Sequence, residues 1–253
     1  MLQYRANFWM GLFGYVVVEI AVAYILWRSV YSDNPAQTMA GYTFSGLMFY
    51  YVTASIVDRL VRGGDFSIVG MEIYDGTLTR YLLYPVSILR FKYLQFIAYY
   101  VVVVVQIVPI FLVYWFFTGS DPFAQLTAIN LLLFFVVTLL SGTFYFLAVA
   151  CIDLVGFWAE NVWSLSVMLK ISTKLLGGLT LPLAFFPELA QRVMFWLPFR
   201  FLAAYPAELL TGKQSLEHLG LDFVVLVFWL LVTAGVFRVV WRRGISQYTG
   251  VGI

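Results

Sequence analysis

Apolar residues run along this chain in stretches of membrane length, separated by short polar or proline-containing breaks. A bilayer-spanning helix needs about 20 mostly apolar residues. That length picks out six segments, at about 9–30, 40–61, 92–117, 124–150, 156–181 and 217–240. Ser32-Asp33-Asn34-Pro35 breaks the first, and Gly119-Ser120-Asp121-Pro122 stands ahead of the fourth. The third is the clearest, apolar from Val101 to Val105 and from Ile107 to Phe117 apart from Pro109. The fifth carries Lys170 and Lys174 inside it.

Between the second and third segments the pattern changes. Met71, Tyr74, Leu78, Tyr81 and Leu82 recur at three- and four-residue spacing, with Glu72, Asp75, Thr79 and Arg80 between them. That spacing predicts a short amphipathic helix over 71–84, stopped by Pro85, which has no N–H to donate. Such a helix on the water side of a membrane protein needs cover for its apolar face. A docked protein supplies it, or the helix lies flat on the lipid headgroups.

The stretch 182–213 breaks the pattern differently. Pro182, Pro187, Pro198 and Pro206 cut it into apolar pieces too short to span a bilayer and too hydrophobic for solvated linkers. Pro187 and Pro206, just ahead of Glu188 and Glu208, suit the first turn of a helix, where the missing N–H has no partner anyway and a carboxylate meets the positive dipole end. Gly212 suits a C-terminal cap. Two short helices dipping into the outer leaflet are expected here, with flat interfacial helices as the alternative.

Composition agrees with the medium. Of 253 residues, 62% are hydrophobic and 11% charged, against roughly a quarter charged in a soluble domain. Seventeen tyrosines and eight tryptophans suit two interfacial belts. The single cysteine, Cys151, excludes an internal disulfide, and the single histidine, His218, builds no metal cluster alone. A net charge of +2 gives no reason to expect nucleic acid. The first apolar run is too long for a secretory leader and lacks a small-residue cleavage site, so it is expected to remain as a span.

With six spans both termini share a side. Arg5, Arg59, Arg62, Arg80, Arg90, Lys92, Arg238, Arg242 and Arg243 fall there, against Arg28, Arg192, Arg200 and Lys213 opposite. The excess places the termini and the 62–91 loop in the cytoplasm.

Chemical motifs are missing from the sequence. No Gly-x-x-x-x-Gly-Lys-Ser/Thr cradle occurs, so ATP hydrolysis by that route is excluded for this chain. Gly63-Gly64 reads as a loop hinge and Gly177-Gly178 as close helix packing. No Gly-x-Ser-x-Gly elbow or zinc spacing appears either.

At three places the residues resemble those of type-2 ATP-binding-cassette (ABC) exporter permeases. These are Gly76-x-Leu78-x-x-Tyr81-Leu82-Leu83-x-Pro85, then Asp153-x-x-Gly156-Phe157-Trp158, then Gly178-x-x-Leu181-Pro182-Leu183-x-Phe185-Phe186-Pro187 with Leu197-Pro198-Phe199 and Pro206-x-x-Leu209-Leu210-x-Gly212 downstream. The ending Arg243-Gly244-x-x-x-Tyr248-x-x-x-Gly252 fits as well, so the resemblance covers nearly the whole chain. It implies an all-α membrane protein: one permease domain over 1–253, with six transmembrane helices, a cytoplasmic coupling helix and short re-entrant helices before the last span. It implies nucleotide-binding ATPase subunits as partners, holding ATP and Mg that this chain does not bind, and a second permease subunit, the same chain or a related one. It assigns ATPase coupling to the 71–84 helix, hence to Met71, Glu72, Tyr74, Asp75, Leu78, Arg80, Tyr81 and Leu82. The family's N-terminal interfacial helix is expected to be short, since only Met1 to Trp9 precede the first span.

The mechanism expected from these features is mechanical, with closure of the ATPases pushing on the coupling helix. Lys170 and Lys174, four apart, share a helix face. An ionised lysine in a bilayer costs a few kcal/mol unless it faces water, protein or an anion. They line the substrate pathway and meet an acidic group on the cargo, or they snorkel outward, or they pair with a carboxylate of the second permease. Asp58 and Arg59 are adjacent and share no helix face, so an ion pair between them is not expected; they are read as contacting the ATPase or, alternatively, as facing water. Asp153 and Glu160 are read either as a second ATPase contact or as charges favoured by a helix N-terminus. Glu19, midway along the first span, is read as a subunit-interface hydrogen bond, and His218 as an interfacial residue. An ion-coupled secondary transporter using Lys170, Lys174 and Glu19 is the alternative function. Its interrupted helices would recur in both halves, whereas only 182–213 is interrupted here. An intramembrane enzyme lacks a nucleophile–base pair or a metal set.

Overall fold

The computed structural model describes residues 2–32, 38–63, 67–119, 126–159, 161–214 and 216–249, with backbone alone for 2–13 and 216. The breaks expected at Asp33-Asn34-Pro35 and Ser120-Asp121-Pro122, and the readings of Gly64, Glu160 and Gly252, lie outside the described residues. The chain is 79% helical with no strand among the described residues, an all-α membrane protein.

Six helices overlap the six apolar segments: α1 (Leu2–Val30), α2 (Phe44–Arg62), α5 (Ile88–Thr118), α6 (Ala128–Asp153), α7 (Trp163–Leu176) and α10 (Leu219–Ile245). Three of them are long and apolar enough to cross a membrane by the described residues alone: α5, α6 with the turn that follows it, and α10. Two short helices, α3 (Gly70–Tyr74) and α4 (Leu78–Leu82), lie between α2 and α5, and α8 (Glu188–Trp196) and α9 (Ala204–Leu210) lie between α7 and α10.

α2 is the hub. Its residues are buried nearly all round, from Leu47 to Leu60 and Val61, against α1, α5, α6 and α9. Thr43 caps its start by accepting the Gly46 N–H, and Gly63 closes its end. α6 packs between α2, α9 and α10. A Cβ on Gly142 would stand 2.6 Å from the Phe96 ring, so a glycine there lets α5 and α6 close up.

Two elements are shorter than their patterns predict. The helix within 156–181 covers only Trp163–Leu176, 14 residues or about 21 Å. Upstream, Leu154–Phe157 continues α6 as a 3₁₀ turn instead of opening α7. Downstream, Gly178 adopts φ +85°, and a Cβ there would stand 2.7 Å from the Ala204 Cβ. The chain turns at that glycine because a side chain would be both strained and blocked. The second short element is 71–84, which forms not one helix but α3 and α4 with a break at 75–77, where Gly76 has φ +70°. α4 also stops at Leu82, ahead of Pro85, whose ring disfavours helical geometry at the preceding residue.

Within 182–213 the halves differ. α9 is buried, its Tyr205, Ala207 and Leu209 wedged between α2 and α6, whereas α8 leaves Leu189, Val193 and Trp196 exposed. Pro182 and Pro187 immediately precede a 3₁₀ turn and α8, Pro198 opens the next 3₁₀ turn, and Pro206 sits in the first turn of α9. Gly212 closes α9, with the Lys213 N–H donating to the Glu208 carbonyl at 3.0 Å.

Candidate functional site

The segment carrying α3 and α4 follows α2 in sequence, yet three other elements hold it. Asp153, at the end of α6 and 2% exposed, accepts from the Ile68 N–H, from the Val69 N–H at 2.9 Å and from the Ser67 hydroxyl at 3.0 Å. Backbone donors at a helix start have no intrahelical partner, and here a carboxylate from another helix serves the residues leading into α3. Lys92, near the start of α5, pairs with Glu72. Tyr248, just beyond α10, donates its O–H to the Gly76 carbonyl at 2.6 Å and accepts from the Thr79 N–H at 3.2 Å. Underneath, Val69, Ile73 and Leu78 join the main apolar core with Ala150 and Leu154.

This anchoring sorts the sequence-predicted residues into two sets. Met71, Tyr74, Asp75, Arg80 and Leu82 face outward, joined by Leu83, 82% exposed, and Tyr84. Leu78 does not: it is 0% exposed, because the break at Gly76 rotates α4 out of register with α3. Glu72 is likewise taken by Lys92, and Tyr81 is half-buried, 6.1 Å from the Phe91 and Tyr84 rings. The outward apolar surface is therefore two patches, Met71 with Tyr74 and Leu82 to Tyr84, on a clamped base.

Beside the segment opens a cleft of about 830 Å³ between α3, α6 and α7. Met71, Tyr74, Tyr145, Trp163, Ser166 and Lys170 are among its walls. Lys174 is not. The two lysines expected to act together are separated, since Lys174 lies 3.6 Å from Glu19 on α1 and 3.5 Å from the Tyr15 hydroxyl. Glu19 thus has a partner within the chain.

Lys174 and Glu19 end a polar chain that crosses the bundle. Tyr15 donates to Asp58 at 2.7 Å, and Asp58 pairs with Arg62 one helical turn on. Arg62 donates to the Tyr145 hydroxyl at 2.9 Å and to the Thr173 hydroxyl at 3.0 Å. Asp58 is 4% exposed, so it does not face water as expected. The sequence signal for this pair was the i, i+4 spacing of Asp58 and Arg62, masked by the more obvious Asp58-Arg59. α1, α2, α6 and α7 are joined through these residues, and the buried carboxylate is satisfied as burial requires.

At the other end of the bundle, Tyr50 donates to the Gly178 carbonyl at 2.7 Å and Tyr51 to the Thr180 carbonyl at 3.2 Å. Glu208 on α9 accepts from the Tyr42 hydroxyl at 3.3 Å, and Arg200 pairs with Asp222 of α10. Tyr248, Asp153 and Lys92 are the anchoring residues whose role the spacing alone did not reveal. Tyr248 was visible only through the family resemblance, and Asp153, read with Glu160 as an ATPase contact or a charge at a helix start, instead ends α6 and serves the backbone ahead of α3.

Residues 17–252 match the family described as ABC-2 family transporter protein. The chain belongs to that family. This ABC-2 chain is therefore the non-catalytic membrane subunit of an ABC transporter, and ATPase partner subunits come with that membership. No curated protein and no solved structure gives a significant match to it.

Proposed function

We propose that this chain is an export permease that moves cargo outward across the cytoplasmic membrane, driven by ATPase subunits docked on the α3–α4 segment. The observation that carries the reading is the two-sidedness of that segment. Its inner side is fixed to α5, α6 and the α10 tail by Lys92, Asp153 and Tyr248. Its outer side presents Met71, Tyr74, Leu82, Leu83 and Tyr84. Anchored below and apolar above, it fits a handle through which a partner's motion reaches rigid helices. The basic-residue excess supports a cytoplasmic position for this side and for both termini.

Lys170 supplies the cleft with a cation, which suits cargo carrying an anionic group such as a lipid phosphate. α9, buried between α2 and α6, acts as a re-entrant element closing the outer end. A second permease, identical or related, covers part of the exposed apolar surface of α1 and α7, including Val18, Ile25, Met168 and Ile171. An ion-coupled carrier is disfavoured by family membership and by the engagement of Lys174 with Glu19.

The test uses exposed positions, because Leu78→Asp would bury a charge and unfold the segment. Met71→Asp combined with Leu83→Asp removes two apolar contacts worth about 1.5–3 kcal/mol each when fully covered. Binding of the nucleotide-binding subunit is expected to weaken about 100-fold or more. Undiminished co-purification by the folded double variant refutes the docking role.

A further inference from the structure

Tyr248 lies past the last helix, where a chain would ordinarily fray. Its position is nevertheless fixed. Its ring meets Phe157 edge-on at 6.1 Å, and Phe157 in turn packs on Trp241 of α10. A Cβ on Gly244, near the end of α10, would overlap the Phe157 ring, so the close contact exists only because that residue is glycine. From this aromatic seat the Tyr248 hydroxyl reaches both sides of the break in the docking segment. It donates to Gly76 at the end of the α3 side and accepts the N–H of Thr79 in the first turn of α4. The Thr79 hydroxyl lies 3.2 Å from the same oxygen. One side-chain oxygen therefore sets the angle between two short helices joined at a glycine of φ +70°.

We infer that Tyr248 is a positioning residue: it locks the Gly76 hinge and joins the docking segment to α10, so that α10 shares in displacements that Asp153 passes to α6. The inference rests on the docking role proposed above. It also divides the labour of the segment. Asp153 holds the α3 side to α6, and Tyr248 holds the α4 side to α10. α6 and α10 pack along one another, so two grips on neighbouring helices turn a push on the segment into movement of a pair. With the α4 grip released, rotation at Gly76 would absorb part of the push before it reached α10.

The experiment compares wild type, Tyr248→Phe and Tyr248→Ala as full chains assembled with their ATPase subunits in lipid nanodiscs. Hydrogen exchange is followed with and without ATP plus vanadate. Tyr248→Phe keeps the ring against Phe157 and removes only the oxygen. It is expected to retain the ATPase subunits and to raise exchange over 76–82 about tenfold. The nucleotide-dependent change in protection over 238–249 should fall to less than half, while that over 150–157 persists. Tyr248→Ala should show the same pattern. A Tyr248→Phe complex that responds like wild type while Tyr248→Ala does not assigns the effect to ring packing and overturns the inference. So does an unchanged response of 238–249 in both variants. A wild-type chain that captures no ATPase overturns the docking reading itself, and this inference falls with it.

Discussion

Removing the Asp153 carboxylate is the sharpest local perturbation that the anchoring geometry offers. In Asp153→Ala the Ile68 and Val69 N–H groups lose their acceptor, and Val69 is 1% exposed, so water cannot readily replace it. An unsatisfied buried donor costs about 1–3 kcal/mol, which applies to the Val69 N–H, while the half-buried Ile68 N–H and Ser67 hydroxyl turn to solvent. A loss of about 2 kcal/mol raises the population of the locally opened segment roughly 30-fold. Hydrogen exchange over 67–74 reads this directly, since amides exchange through such openings. Asp153→Asn keeps an oxygen acceptor but loses the charge that about doubles hydrogen-bond strength. It should fall between, at roughly fivefold for a loss of about 1 kcal/mol. Exchange over 204–210, in buried α9, should stay as in wild type and show that the fold survives. If Asp153→Ala exchanges within about twofold of wild type over 67–74, the carboxylate does not hold the segment and the anchoring argument is wrong.

Two further outcomes follow from packing and charge. Gly244→Ala forces the Phe157 ring aside, with a strain of about 1–3 kcal/mol. That lowers Tm by about 2–4 °C per kcal/mol, and Phe157→Leu in the same chain should restore most of it; a Gly244→Ala protein as stable as wild type refutes the close contact. Lys174→Gln and Glu19→Gln should each destabilise more than half as much as the double variant, because each alone strands a partly buried charge. Thermal unfolding of the four chains should give a coupling of about 1–2 kcal/mol, and additivity within about 0.3 kcal/mol would mean that the 3.6 Å pair is not formed.

The amphipathic segment shows where reading from sequence succeeds and where it stops. Three- and four-residue spacing points to helix there, because helical periodicity is a local property, and the segment forms two short helices, α3 and α4. One continuous helix would have put Leu78 on the face with Met71 and Tyr74. The hinge at Gly76 turned it inward, and the Tyr248 hydroxyl that completes the hinge lies 172 positions away in sequence. The fifth segment shows a related limit. Hydrophobicity cannot tell the end of one buried helix from the start of the next: the apolar run from about 156 takes in Gly156 and Phe157, which finish the 3₁₀ turn after α6, whereas α7 starts only at Trp163.

By itself the sequence determined the medium, the helical class and the family. Apolar length, proline and glycine placement and loop motifs are written in consecutive residues, and a membrane-embedded backbone must satisfy its hydrogen bonds within each helix. Only the tertiary structure decided which charges meet. Lys174 faces Glu19 and Tyr15 instead of acting beside Lys170, although Tyr15 is 159 positions away. Asp153 serves the start of α3, and Asp58 turns into the bundle. Such pairings depend on how rotated helices pack, and a residue's spacing along its own helix carries no information about the helix opposite.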